Sequence, residues 1–279
     1  MKIPFTKMHG LGNDFIILDL TKKKIELSPD KICELSDRNL GIGFDQLLQI
    51  EPPSSAEVDY DYRIFNTDGT EVEHCGNGAR CFATFVHEKR LSNKNPLKVK
   101  TINRVLSLYI NDNGQVSVDM GDPVFSPSAI PFITETEKTL YSRKIKITGV
   151  PIELEFMPIS MGNPHAVICV EDLANTAVKD IGEALGRHPD FPKGVNVGFM
   201  QIHSETKISL RVFERGTGET LACGSGACAA VVAGRRLNEL GAIVKVMLPG
   251  GELEIEWEQD KPVIMTGPTK TVYEGTIDI

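Results

Sequence analysis

The sequence predicts an α+β protein built as two pseudo-symmetric domains. Three observations carry that reading. A cysteine turn occurs twice, as "EHCGNGARCFATF" from Glu73 and as "LACGSGACAAVVA" from Leu221. An alternating apolar and polar run precedes each turn, as in a half-buried strand. An apolar or alanine-rich segment with helical spacing and then a pair of strands follow each turn.

The two halves align residue by residue. At an offset of 148, Phe65 meets Phe213, Glu71 meets Glu219, Gly76 meets Gly224, Gly78 meets Gly226 and Ala79 meets Ala227. With Cys75 on Cys223, six of the fifteen positions from 65 to 79 are identical. Further upstream the offset is 150, where Asn13 meets Asn163 and Gln46 meets Asn196. A period this long is far outside the solenoid range, so the repeat is of a whole domain.

The elements follow in order. "GLGNDFIILDL" and "SMGNPHAVICV" each read as a glycine turn feeding an apolar strand. "VDYDYRIF" (58–65) and "KISLRVF" (207–213) alternate as strands. The loops "NTDGTEVEH" and "ERGTGETLA" then deliver the cysteines. The first helix is expected to run to about Leu91 and the second to about Leu240. "VLSLYI" turns at Asn113-Gly114 into "QVSVDM", a strong hairpin signal, and "AIVKVML" turns at "PGG" into "ELEIEWE". The proline-rich stretch "GDPVFSPSAIPF" (121–132) is expected to be the linker.

Bulk properties narrow the function. The chain has 279 residues, 41% hydrophobic and 24% charged, which suits a globular protein of one large or two ordinary domains. A net charge of −8 without a basic patch argues against nucleic acid and anionic membrane surfaces as partners. The N-terminal stretch has no apolar signal-peptide core, and no apolar run approaches the roughly 18 residues of a membrane span. The chain is expected to be cytoplasmic and its six cysteines to be thiols. Cys33 and Cys169 are expected to be buried small hydrophobes, and Cys81 and Cys228 to be packing residues within their helices.

The cysteine turns carry the chemistry. Glycines at a helix start let a ligand approach the backbone. The first turn offers N–H groups without intrahelical partners and the positive end of the helix dipole, which together bind anions. The same field is expected to lower a thiol pKa toward neutral. Two such turns facing each other across a cleft would hold one carboxylate and set a sulfur on each side of the neighbouring carbon. That arrangement suits racemisation or epimerisation, which needs two acid–base groups of matched pKa. The cysteine spacings fit neither a zinc site nor a redox pair, because no Cys-x-x-Cys occurs. Two other classes stay open at this point: a non-catalytic amino-acid-binding protein and a thiol redox protein.

The segments "HGLGNDF", "GIGFDQ", "NTDGTEVEHCGNGARC", "GNPHAV" and "FERGTGETLACGSGACA" together resemble the diaminopimelate epimerase family, over most of the chain. Proline racemase and hydroxyproline epimerase are the related alternative. The resemblance implies an isomerase that interconverts LL- and meso-2,6-diaminopimelate for lysine and peptidoglycan precursor biosynthesis. It implies no cofactor, neither pyridoxal phosphate nor metal, and a homodimer. It implies a mixed sheet or barrel wrapped around a central helix in each domain, with the active site in the cleft between them. The domains would span 1–122 with the tail 268–279, and 123–267.

Carried over by position, the resemblance makes Cys75 and Cys223 the two acid–base residues. Gly76, Asn77, Gly224 and Ser225 would cradle the reacting carboxylate. Asn13, Gln46, Asn66, Asn163, Asn196, Glu214 and Arg215 would contact substrate. His165 and Glu214 would tune the thiols. A planar guanidinium such as that of Arg215 suits a distal carboxylate, which a proline substrate lacks. His9 and His74 are left out of the site.

Overall fold

The computed structural model describes residues 2–23, 25–73 and 75–278. The first part of the chain runs β1 (Lys2–Gly10), β2 (Asn13–Asp19), α1 (Pro29–Ser36), β3 (Gln46–Glu51), β4 (Tyr60–Asn66), α2 (Gly76–Glu88), β5 (Leu97–Lys100), β6 (Val105–Ile110) and β7 (Val116–Asp119). It continues with β8 (Tyr141–Ile147), β9 (Val150–Ser160), β10 (Pro164–Cys169), α3 (Val178–Gly186), β11 (Asn196–Ser204), β12 (Lys207–Glu214) and β13 (Gly218–Thr220). The last elements are α4 (Gly224–Arg236), β14 (Ile243–Leu248), β15 (Gly251–Glu256), β16 (Ile264–Gly267) and β17 (Lys270–Asp278). Residues 1–119 and 266–279 make one compact unit, and 120–265 make the other.

In the first unit β17 pairs antiparallel with β1, so the C-terminal strand returns to the N-terminal one. The sheet continues β1–β2 antiparallel, β2–β3 parallel, β3–β4 antiparallel, β4–β5 parallel and β5–β6 antiparallel. The second unit repeats this alternation as β9–β10 antiparallel, β10–β11 parallel, β11–β12 antiparallel, β12–β14 parallel and β14–β15 antiparallel. The offsets read in the sequence survive as strand register. Phe15 sits opposite Gln46, and His165 sits opposite Asn196.

Each unit folds its strands about one helix. α2 packs against β1, β2, β3, β6 and β7, and α4 against β9, β10, β11, β12 and β15. Residues 76–83 of α2 and 226–234 of α4 are buried on every side, which is the pattern of an interior helix. Small residues allow the close approach. A Cβ added at Gly78 would stand 2.5 Å from Tyr62 Oη, and one at Gly226 would stand 3.0 Å from Val212. A second apolar cluster forms under each outer helix. Ile32 and Leu35 of α1 close over Ile16, Leu18 and Leu47, while Val178 and Leu185 of α3 close over Phe132, Phe156 and Phe191.

The α+β class and the two-domain arrangement hold, and several details differ. α2 ends at Glu88 and α4 at Arg236, each short of the sequence expectation. Arg90 and Asn238 enter the left-handed region (φ 54° and 60°), and the carbonyls of Val86 and Gly234 take the amides of Leu91 and Glu239. These are Schellman-type stops without glycine, hidden from a reading based on helical spacing. The 121–132 stretch is no loose tether, because Val124 and Ser160 exchange both backbone hydrogen bonds and Ile130 and Phe132 enter the core. Cys33 and Cys169 are exposed rather than buried. Cys33 lies between the buried Ile32 and Leu35 on the outer face of α1, and Cys169 ends β10 after four buried residues. Cys81 and Cys228 are fully buried.

Candidate active site

Each cysteine is the N-cap of its helix. Cys75 has φ −145° and ψ 107°, and Cys223 has φ −117° and ψ 107°. The first helical bonds are those from Ala79 to Cys75 and from Ala227 to Cys223. Gly76 and Asn77, and likewise Gly224 and Ser225, therefore present the amides of a first helical turn. Cys75 Sγ accepts the Gly78 amide at 3.4 Å.

In the first unit the turn meets β2. Cys75 Sγ lies 3.7 Å from Asn13 Oδ1, which also accepts Asn77 Nδ2 at 3.2 Å. Asn13 Nδ2 donates to Asp45 Oδ2 at 3.0 Å, and Asn77 Oδ1 accepts Arg80 Nη2 at 3.0 Å. Gln46 and Asn66 face each other in strand register, and Gln46 Nε2 donates to Asn66 Oδ1 at 3.0 Å. Behind Asn13, burial pushes the Asp14 carboxyl up, but Arg38 and Lys7 more than offset this and hold it well below the usual carboxylate range.

In the second unit the turn meets β10. His165 Nε2 lies 3.0 Å from both Asn163 Oδ1 and Ser225 Oγ, and Ser225 Oγ lies 3.7 Å from Cys223 Sγ. Asn196 Oδ1 accepts the Arg215 amide at 2.9 Å. Arg215 Nη1 donates to the Lys193 carbonyl at 2.6 Å. Burial, and then the charge of Arg215, pushes His165 down to about 3, so its imidazole is neutral.

Electrostatics corrects one expectation. Burial pushes the Cys223 thiol up, and the neighbouring Glu214 charge adds to the shift. Hydrogen bonds from Gly226 and Ser225 oppose it without prevailing. With Cys223 only 5% exposed, desolvation of a thiolate outweighs the helix field in this state. Burial likewise pushes the Tyr62 hydroxyl up, with the Cys75 and Cys81 sulfurs adding to it.

The structure thus gathers Asn13, Cys75, Gly76 and Asn77 at one helix start, with Gln46 and Asn66 paired beside them on β3 and β4. It gathers Asn163, His165, Glu214, Cys223, Gly224 and Ser225 at the other, with Asn196 joined to Arg215. His74 lies outside the described residues. Sequence reasoning missed Asp45, Arg80 and Thr220, whose hydroxyl donates to the Glu214 carboxylate. Asp45 and Arg80 stand inside the motifs "GFDQ" and "CGNGARC", yet only the fold shows which way each is aimed.

A cavity of about 680 Å³ opens beside Arg215, lined also by Arg187, His188, Phe191, Phe213 and Thr217. A larger one of about 1060 Å³ lies at the other end of α4, beside Arg235, Arg236 and Trp257, and holds none of the candidate residues. Among the described residues, no group of three His, Cys, Asp or Glu side chains is placed to hold a metal, and no helix is long and apolar enough to cross a membrane.

Comparison with known proteins bears on this geometry. The diaminopimelate epimerase family model matches residues 5–126 and 157–272. A diaminopimelate epimerase from Psychrobacter arcticus is 52% identical over 278 residues, covering 99% of this chain and 94% of that protein. One from Psychrobacter cryohalolentis is 53% identical over 281 residues, with the same coverage. Among solved structures, a hydroxyproline epimerase from Agrobacterium vitis superposes with a TM-score of 0.68 at 13% identity, over 99% of this chain and 92% of that one. A PhzF-family phenazine biosynthesis protein from Bacillus anthracis gives 0.68 at 16% identity, over the whole of both chains. Likeness at such identities is one of fold.

Proposed function

The chain belongs to the diaminopimelate epimerase family, and from that premise we propose that it interconverts LL- and meso-2,6-diaminopimelate without a cofactor. One observation supports this reading above the others. A cysteine caps the start of the interior helix in each of two units with the same strand order. A binding protein needs the helix starts but has no need of a sulfur at each.

In this reading the amides of Gly76 and Asn77, and of Gly224 and Ser225, hold the reacting carboxylate. Their fixed dipoles stabilise the charge that spreads into it as the α-proton leaves. One sulfur, as thiolate, takes that proton, and the thiol of the other cysteine gives its own to the opposite face of the carbon. The enzyme then holds one thiol and one thiolate with their places exchanged. Burial favours the protonated form of Cys223 at rest, which suits it to give its proton. Neutral His165 orients Ser225 and Asn163 without adding charge. Arg215 exchanges its Lys193 carbonyl for the distal carboxylate of the substrate, gripped through two parallel N–H bonds. Gln46, Asn66, Asn163 and Asn196 supply the paired donors and acceptors that an ammonium with a carboxylate requires.

A cytoplasmic location and a homodimer belong to the same reading. Fractionation tests the first and mass measurement in solution the second. The activity itself is tested by incubating reduced protein with LL-diaminopimelate in deuterium oxide. Formation of the meso isomer with deuterium at the α-carbon supports the proposal. Tight binding without exchange would reduce the protein to a receptor.

A further inference from the structure

Arg80 is among the largest fully buried side chains of the described residues, set about one helical turn behind the Cys75 cap. A cation buried on an interior helix needs a reason, because burying charge is costly unless it is engaged. It is engaged with the site. Arg80 Nη2 donates to Asn77 Oδ1 at 3.0 Å, Asn77 Nδ2 donates to Asn13 Oδ1 at 3.2 Å, and Asn13 Nδ2 donates to Asp45 Oδ2 at 3.0 Å. The same Asn13 oxygen lies 3.7 Å from Cys75 Sγ.

The two ends of this chain decide its polarity. A guanidinium only donates, and an ionised carboxylate only accepts. Asn77 must therefore turn its oxygen to Arg80, which leaves its amino group for Asn13. Asn13 must turn its amino group to Asp45, which leaves its oxygen for Asn77 and for the sulfur. Reversing the amides would set Asn77 NH2 against Arg80 and Asn13 oxygen against Asp45, two repulsive contacts at once.

We propose that Arg80 is a positioning residue which, through Asn77 and against Asp45, holds the Asn13 carbonyl oxygen at Cys75, so that the resting Cys75 keeps its proton and directs it onto Asn13 Oδ1. The sulfur meanwhile accepts the Gly78 amide, so both of these contacts are set before substrate arrives. The arrangement belongs to the first unit alone. At the offset of 148, Arg80 meets Cys228, and at 150 Asp45 meets Val195, so both charged ends are replaced by apolar side chains. Asn163 there faces His165 instead. The repeats thus keep their sulfurs and differ in how each proton is held. The relevance to turnover rests on the function proposed above, but the state of Cys75 does not.

The test is infrared difference spectroscopy of the S–H stretch in the substrate-free full chain, with the Cys75 band assigned by its loss in Cys75→Ala. The expected result is a Cys75 band displaced below that of a free thiol. It should move toward the free-thiol position in Asn77→Ala and in Arg80→Met, and return in Arg80→Lys, which restores a buried donor. Absence of any Cys75 S–H band overturns the proposal, as does a band unmoved in Asn77→Ala. A band unmoved in folded Arg80→Met, or not restored in folded Arg80→Lys, removes Arg80 from the role. If the Arg80 variants do not fold, Asn77→Ala decides alone. Because no turnover is read, a protein inactive on diaminopimelate would fail the functional proposal without moving this band.

Discussion

His165 Nε2 lies 3.0 Å from Ser225 Oγ, joining the start of β10 to the first turn of α4 beside Cys223. The contact uses a neutral imidazole with a depressed folded-state pKa, and that fact has a consequence for stability. A buried neutral histidine contributes stability that is fully present above its unfolded value of about 6.5 and is lost as pH falls toward about 3. Unfolding free energy should therefore decline across that window with a slope reaching roughly 1.4 kcal/mol per pH unit from this group. His165→Gln should flatten the decline. Urea unfolding at several pH values from 7 to about 3 measures it, and an unchanged slope in the variant would refute the assignment.

Cys75→Ala and Cys223→Ala should each leave a folded protein that has lost epimerisation. A general acid–base group contributes about 10²–10⁴-fold, so each loss should be at least that large. Cys81→Ala should retain turnover, because Cys81 is wholly buried within α2. Chiral analysis of product and circular dichroism make the comparison.

Glu214→Gln should make Cys223 react with iodoacetamide at lower pH. The carboxylate beside the thiol works with burial to disfavour the thiolate, so removing its charge shifts the profile downward. Mass spectrometry of the Cys223 peptide against pH reads the shift. A profile that moves upward, or stays in place, would show that Glu214 has no such influence.

Arg215→Lys should raise KM more than its unchanged charge suggests. An ammonium cannot reproduce the planar fork of a guanidinium. Steady-state kinetics with LL-diaminopimelate tests the point, and equal KM and kcat would place the distal carboxylate elsewhere.

Tyr62 Oη is buried and has no hydrogen-bond partner among the described residues. Tyr62→Phe should therefore be neutral or stabilising by about 1 kcal/mol. Gly78→Ala should cost about 1–3 kcal/mol, since its methyl meets that oxygen. The double variant should recover most of the loss. Equal cost of Gly78→Ala in both backgrounds, measured by thermal unfolding, would show that another contact limits the space.

Local patterns determined much of this protein. The alternation in 58–65 and 207–213, Asn113-Gly114, and the repeated Cys-Gly-x-Gly-Ala each act over a few residues, and each became the element expected. The outer helices α1 and α3 and the hairpin β8–β9 went unread: α1 has a start signal in Ser28 and Pro29 but spans only eight residues, and α3 has no side-chain N-cap bond. Only the tertiary structure decided how the site residues behave. The helix field alone predicts an acidic Cys223, but burial and Glu214 reverse the sign, and neither is visible in the spacing of the motif. Asn13 and Asn77 are separated by 64 residues, and their amides are oriented by charges on two further elements. A turn can be written in a short segment, whereas the polarity of a hydrogen-bonded chain depends on what the rest of the fold sets at each end.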